Sequence, residues 1–420
     1  MSDRLARALL FIAVATILVA TLTPASGEPP LPHACVLCAP DSIADAVSNV
    51  LLFAPLGLAL AWLGWPLRRA VLAAALLSGF VELMQLWIIP GRDASITDVV
   101  TNTIGGCTGF IVFDAVRRLV LLATRTRRWL ALGCGAIAAA GLLACGELLT
   151  PAFPPTIYHG QWTANLGGDL DWYRGRVRDA RIGPYRLPSH RLEHQDEVRR
   201  LLQDGARLQV RGLAGPRTDR LAPFFSIYDE RRLEILLLGP DRDDFVLRYR
   251  MRASDWQFNQ PDLRIPDAMR DIRRGDTLEV AFWHPAGGRG YCVLVAARTT
   301  CGIAPSVGLG WSLLLYPEHL SRTLKAILGI LFIAVFAVPI GFGAGELTSA
   351  LAGGALAAGA LFGAPALAHG MLIASPPGEW LGLVLGLAVG LCLERLVRLL
   401  GPQVPNMSAT QAARQRSILA

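Results

Sequence analysis

Charge is scarce in this chain. Only 17% of its 420 residues are charged, against about a quarter in an average soluble protein. Mean hydropathy is +0.41 and 53% of residues are hydrophobic, which excludes an ordinary soluble protein of this length. There is no internal repeat and no low-complexity tract, so a solenoid or a fibrous array is excluded as well. What the chain has instead is long apolar runs. Blocks of about twenty apolar residues, each long enough to cross a bilayer as a helix, fall near 5–23, 46–64, 67–89, 99–122, 129–149, 323–343, 346–370 and 378–400. The fold class expected is a multi-pass α-helical membrane protein of about eight spans.

The few basic residues are unevenly placed, and that placement predicts orientation, because short cytoplasmic loops are enriched in Arg and Lys. Arg4 and Arg7 open the first span, Arg68 and Arg69 separate the second and third, and Arg117, Arg118, Arg125, Arg127 and Arg128 lie between the fourth and fifth. The alternate short loops carry almost none, with Arg92 the exception. Arg395, Arg398, Arg414 and Arg416 lie at or after the end of the last span. Both termini are therefore expected in the cytoplasm of a bacterial cell, and the long polar segment outside. The Gly-rich connection from Phe342 to Glu346 has neither Arg nor Lys and carries no signal of its own. The first span reads as a retained anchor, since Thr23–Gly27 is only a modest cleavage site. The net charge of +7 follows from the inner loops and does not point to nucleic acid.

Between the fifth and sixth spans the chain changes character. Short runs rich in β-branched and aromatic residues, at Arg207–Val210, Phe224–Tyr228, Leu233–Leu238, Phe245–Tyr249, Thr277–Trp283 and Tyr291–Ala296, alternate with turn signals such as Gly239-Pro240-Asp241 and Gly287-Gly288. This predicts an all-β sandwich, with one helix over Leu192–Leu202. The expected domains are a five-helix membrane unit over 1–149, the extracytoplasmic sandwich over 150–320, three further spans over 321–400, and a polar tail over 401–420 that is disordered.

Charge inside the apolar blocks marks the candidate site. Asp45 and Asn49, Glu82 and Gln85, and Asp98 and Asn102 are pairs three or four residues apart, so each pair shares one helix face. Ionisable groups in spans are costly and commonly functional. The predicted topology puts Asp45 and Asp98 at the outer ends of their spans, Asn49 and Asn102 one turn inward, and Glu82 about two turns below the outer surface. Arg92 and Asp93 occupy the loop that follows. Pro55 and Gly57 interrupt the second span, and Gly105, Gly106 and Gly109 smooth the fourth for close helix approach. The layer could hold a polar head group, with Asp45, Glu82 and Asp98 as acid, base or divalent-cation ligands and Arg92 as an anion contact. The alternative is that it locks three helices together by mutual hydrogen bonds, though charge is an expensive way to join helices and three carboxylates in one layer favour function.

The pattern Asp45-x-x-x-Asn49-Val50-Leu51-Leu52-Phe53-x-Pro55-x-Gly57, then Glu82-x-x-Gln85, then Arg92 and Asp98-x-x-x-Asn102-Thr103-x-Gly105 resembles the VanZ-like family over about residues 5–122. The family's named member is associated with resistance to the glycopeptide teicoplanin. The resemblance implies a bacterial cell-envelope role and no particular reaction.

Other residues give weaker signals. Cys35-x-x-Cys38 precedes Asp45, where a disulfide, free thiols or thiol exchange fit an outside location, while zinc lacks ligands beyond His33. Cys292 and Cys301 are expected to form a disulfide. The segment from Phe224 to Arg250 resembles the concanavalin-like or laminin-G-like sandwich, over about 155–315. That resemblance implies carbohydrate binding, sometimes with calcium. Trp162, Trp172, Trp256 and Trp283 then become candidates for stacking on sugars, and Asp241, Asp243 and Asp244 for holding a cation. No carboxylate pair in a glycosidase-like setting stands out, and no cofactor is evident. The leading expectation is a non-enzymatic envelope factor that contacts membrane lipids and binds a surface glycan or lipid-linked precursor. Its rival is an enzyme that modifies such a molecule at the Asp45/Glu82/Asp98 pocket.

Overall fold

The computed structural model describes residues 2–24, 42–89, 92, 94–119, 124–168, 170–315 and 320–400. Among the described residues, eight helices are long and apolar enough to cross a membrane. They are α1 (Ser2–Leu22), α2 (Ser42–Trp62), α3 (Leu67–Trp87), α4 (Ile96–Leu119) and α5 (Thr124–Leu148), then α7 (Arg322–Ala344), α8 (Leu347–Leu367) and α9 (Pro377–Leu400). Each coincides with one apolar block of the sequence. Large side chains such as Phe11, Ile137, Val335, Phe362 and Leu399 stand exposed along them, which is costly in water and natural against lipid.

The spans pack as two bundles. In the first, α1 to α4 enclose Ala13, Ile17, Phe53, Leu56, Leu60, Ala74 and Val81. Here α2 and α4 lie backbone to backbone. A methyl group on Gly57 would collide with the Gly106 carbonyl, and one on Gly109 with that of Ala54. Such contact is how small residues let helices gain dispersion energy where no hydrophobic effect separates helix from lipid. In the second bundle, α5 packs on α7 and α8 and α7 packs along α9, with Gly382, Gly386 and Gly390 of α9 against the α7 backbone. The five spans that sequence order groups over 1–149 are thus divided in space after α4.

The β domain holds β1 (Tyr158–Trp162), β2 (Arg176–Ile182), β3 (Tyr185–Arg186), helix α6 (Gln195–Gln203), β4 (Leu208–Leu213), β5 (Phe225–Asp229), β6 (Glu234–Asp241), β7 (Asp244–Tyr249), β8 (Leu263–Ile265), β9 (Thr277–Trp283), β10 (Tyr291–Val295) and β11 (Arg298–Ile303). They form two antiparallel sheets, in the orders β1-β5-β6-β7-β8 and β11-β10-β9-β4-β2-β3. One apolar core runs from between the sheets through Leu149, Val307 and Leu313 into the second bundle, reaching Ile333 and Leu361. The hairpin signal at Gly239-Pro240-Asp241 needs a correction: those residues end β6. The turn is Arg242-Asp243, since Asp241 pairs with Asp244 and Arg242 takes the positive φ of 56° that two-residue hairpin turns require.

The β domain sits across one set of helix ends. It meets the start of α2 (Ala44 N–H to Gln257 O, 3.3 Å), the start of α7 (Arg322 to Asp244, 3.1 Å) and the loop after α8 (Gly290 N–H to Gly370 O, 2.7 Å). At the end of α5, Arg252 pairs with Glu147. The arginines between α2 and α3 and between α4 and α5 lie at the opposite helix ends.

Candidate functional site

Three helices bring the polar residues to the β-domain end of the first bundle. Asp45 and Asp98 each occupy the first turn of their helix, where a negative charge complements the unsatisfied N–H groups. Asp45 is exposed and Asp98 half-buried, and the two lie within electrostatic range of each other, with the Asn49 carboxamide in hydrogen-bonding reach of Asp98. Behind them Glu82 is only 9% exposed. Its Oε2 accepts the Ser95 N–H at 2.7 Å, which docks the carboxylate on the N-terminus of α4. One turn deeper, Asn102 Nδ2 donates to Ser78 Oγ at 2.9 Å, while buried Asn102 Oδ1 meets no partner among the described residues.

Gln85 and Arg92 do something else. Gln85 Nε2 donates to Thr21 O at 3.0 Å, and Arg92 donates to Ala20 O at 3.0 Å and Thr23 O at 3.3 Å. Ala20 and Thr21 carry terminal carbonyls of α1, which have no partner within their own helix, and Thr23 follows its last residue. Both side chains therefore cap α1, and the expectation that Arg92 is an anion contact must be weighed against that role. Sequence reasoning missed Ser78 and Ser95. The first could have been found, since Ser78 lies four residues before Glu82 on the same face.

The layer is thus graded, from exposed Asp45 through Asp98 to buried Glu82, and the partners seen for Glu82 and Asp98 are neutral donors. Such carboxylates can accept hydrogen bonds from a ligand's N–H or O–H groups, balance a cationic head group, or exchange a proton. Among the described residues no group of three or more His, Cys, Asp or Glu side chains is placed to hold a metal ion. The layer also adjoins the seam with the β domain, where Ser48 Oγ reaches Leu314 O at 3.5 Å.

In the β domain, the three carboxylates weighed as cation ligands are engaged by arginines: Asp241 by Arg264, Asp243 by Arg217 and Asp244 by Arg322. Guanidinium groups also lie over three of the four tryptophans. Arg186 is 5.9 Å from the Trp162 ring, Arg174 is 5.4 Å from Trp172 and Arg207 is 4.6 Å from Trp283. The indole N–H groups of Trp162 and Trp172 donate to Leu187 O and Thr163 O. Trp256 differs, lining a cleft at the junction with the second bundle. Cys292 and Cys301 are bonded to each other across β10 and β11. Cys35, Cys38, His33, Asp93 and the tail beyond 400 lie outside the described residues.

Outside the spans, the carboxylate of Asp262 is enclosed, with its side chain 3% exposed. Burial pushes its carboxyl up, but Arg248 at 2.5 Å outweighs this by charge and hydrogen bond, with help from Arg264 and Lys325, and holds it below its ordinary value of 3.8.

Residues 9–117, about a quarter of the chain, match the family model VanZ/LLP1. The matched region covers α1 to α4 and stops short of α5, so the family boundary and the packing boundary agree. No curated protein and no solved structure matches the chain.

Proposed function

We propose that this VanZ-like membrane protein holds the polar head group of a bacterial envelope lipid, or of a lipid-linked glycan precursor, at the outer face of the cytoplasmic membrane without transforming it. The observation that carries the reading is the graded carboxylate layer of Asp45, Asp98 and Glu82 at the seam between the first bundle and the β domain. Orientation is supported by the arginines at the opposite helix ends, which fit a cytoplasmic side there and an extracytoplasmic β domain. Glu82 and Asp98 meet neutral donors, which suits a ligand with N–H, O–H or cationic groups. The VanZ-like region supports the link to glycopeptide resistance, and the two sheets sharing one core support the concanavalin-like reading.

The rival reading is catalysis. It is favoured by one observation: two carboxylates of unequal burial, Glu82 and Asp98, lie close together, as in acid and base pairs. Incubation of the purified full-length protein with a bacterial polar lipid extract, followed by native mass spectrometry, separates the two. Binding predicts a retained lipid of unaltered mass, lost in Asp98→Asn. Conversion of an added lipid that stops in Glu82→Gln, with retention unchanged, would establish the enzyme and overturn the binding role.

A further inference from the structure

A recess lies where the second bundle meets the β domain. It is a cleft of about 680 Å³ where the end of α5 and the loop after α8 meet the β domain. Trp256 forms one wall and is 62% exposed. Asp255 beside it gives one carboxylate oxygen, Oδ1, to Arg250 at 2.8 Å. Gln203 at the end of α6 presents its carboxamide, which is held only loosely, at 3.5 Å, by Phe153 O. His369, exposed and at a positive φ of 51°, closes the far side, with Met371 next to it. The loop carrying His369 is pinned by the Gly290 N–H to Gly370 O bond at 2.7 Å and by Ile373 N–H to Pro305 O at 3.1 Å. The walls therefore belong to fixed elements and the recess is pre-formed, as ligand sites usually are.

We infer that this cleft is a saccharide site, which takes a pyranose ring of a lipid-linked glycan whose head group the VanZ-like bundle holds. This rests on the function proposed above. Three features commit it to a sugar. The chemistry combines an aromatic face, which packs on the C–H face of a pyranose, with a carboxylate, a carboxamide and an imidazole that exchange hydrogen bonds with hydroxyls. Trp162, Trp172 and Trp283 carry an arginine over the ring, whereas none of the described arginines stacks on Trp256. The position also fits a lipid-borne sugar. Exposed Leu367 borders the cleft at the end of a span, and Trp256 precedes Gln257, whose carbonyl holds the Ala44 N–H next to Asp45. Carboxylate layer and cleft thus flank one loop, so a single amphiphile could present its head group to one and its sugar to the other. A volume near 680 Å³ suits one or two rings rather than a long polymer.

The test is saturation-transfer NMR on the full-length protein in detergent, with methyl β-glucopyranoside and methyl N-acetyl-β-glucosaminide as soluble probes. Transfer to the ring protons of at least one probe is expected. Trp256→Ala should weaken it about three- to tenfold, the range for a lost stacking contact. Gln203→Ala should weaken it less, and Trp172→Ala should leave it unchanged. Because Trp256 and Gln203 lie at the surface, thermal melting should not move, which separates a lost site from a lost fold. No transfer from either probe in the native protein, or equal transfer in Trp256→Ala, overturns the inference. The two readings fail separately. A native protein that retains lipid but ignores both glycosides refutes the saccharide site alone, and glycoside binding with no retained lipid refutes the head-group reading.

Discussion

In the second bundle the buried carboxylate of Glu394 meets Arg127 at 2.5 Å, and Arg398 one turn on, while Arg127 also donates to Phe342 O at 2.9 Å and so caps α7. In the first bundle the buried carboxylate of Glu82 meets a backbone N–H, and Asp98 faces an amide. The two bundles also place these groups at opposite helix ends, Arg127 and Glu394 away from the β domain and Glu82 toward it. The difference separates two uses of charge in a span. An acid neutralised by arginine ties helices together, and little is left for a ligand. The acids held by neutral donors stand instead at the end where the β domain meets the bundle.

The largest break in this contrast should come from the second bundle. Arg127→Met removes the buried partner of Glu394, leaves it only the half-exposed Arg398 and uncaps α7, so unfolding of the purified protein in detergent should show a loss of up to about 3 kcal/mol. Arg127→Met combined with Glu394→Met should recover most of it, because an apolar pair leaves no charge stranded. A smaller loss is expected where α2 and α4 touch. Gly109→Leu must push the helices apart at Ala54, at a cost of about 1–3 kcal/mol, whereas Gly79→Ala on α3, where a methyl group would meet nothing within 4 Å, should be close to neutral in the same melt.

Acid should reach the arginine-paired side next. Asp262 has its folded pKa below 3.8, so its contribution is present above that ordinary value and is lost as pH falls through the folded one. In Arg248→Met, burial is left with weaker opposition, and acid unfolding followed by near-ultraviolet dichroism should begin at higher pH. An unchanged acid limb would break the assignment.

Much of this was legible in the sequence, for physical reasons. Spans announce themselves because lipid demands about twenty apolar residues, and six strands were legible because their apolar runs bury a face. Strands β2 and β11 were not, since Arg176, Arg178 and Arg181 or Arg298 and Thr299 interrupt any apolar run on a solvent-facing sheet. Within the candidate site, helical spacing paired the residues on each helix, and the alternating direction of the spans brought Asp45, Glu82 and Asp98 to one end. It could not show that Gln85 and Arg92 serve α1, because a cap on a distant carbonyl leaves no periodic trace. Nor could chain order show that α5 leaves its four predecessors for α7 and α8, since that choice is made by surface shape, as where Gly135 meets Gly353.

A small effect on stability is also expected of Glu82→Gln, whose amide oxygen can still accept the Ser95 N–H, so its melt should move by no more than about 1 kcal/mol. The most direct measurement compares lipid retention and melting of Asp98→Asn and Glu394→Gln, by native mass spectrometry and thermal unfolding of the same preparations. The account predicts that Asp98→Asn melts like the native protein and loses its lipid, while Glu394→Gln melts lower and keeps it. Retention of the lipid at full occupancy by Asp98→Asn would contradict it.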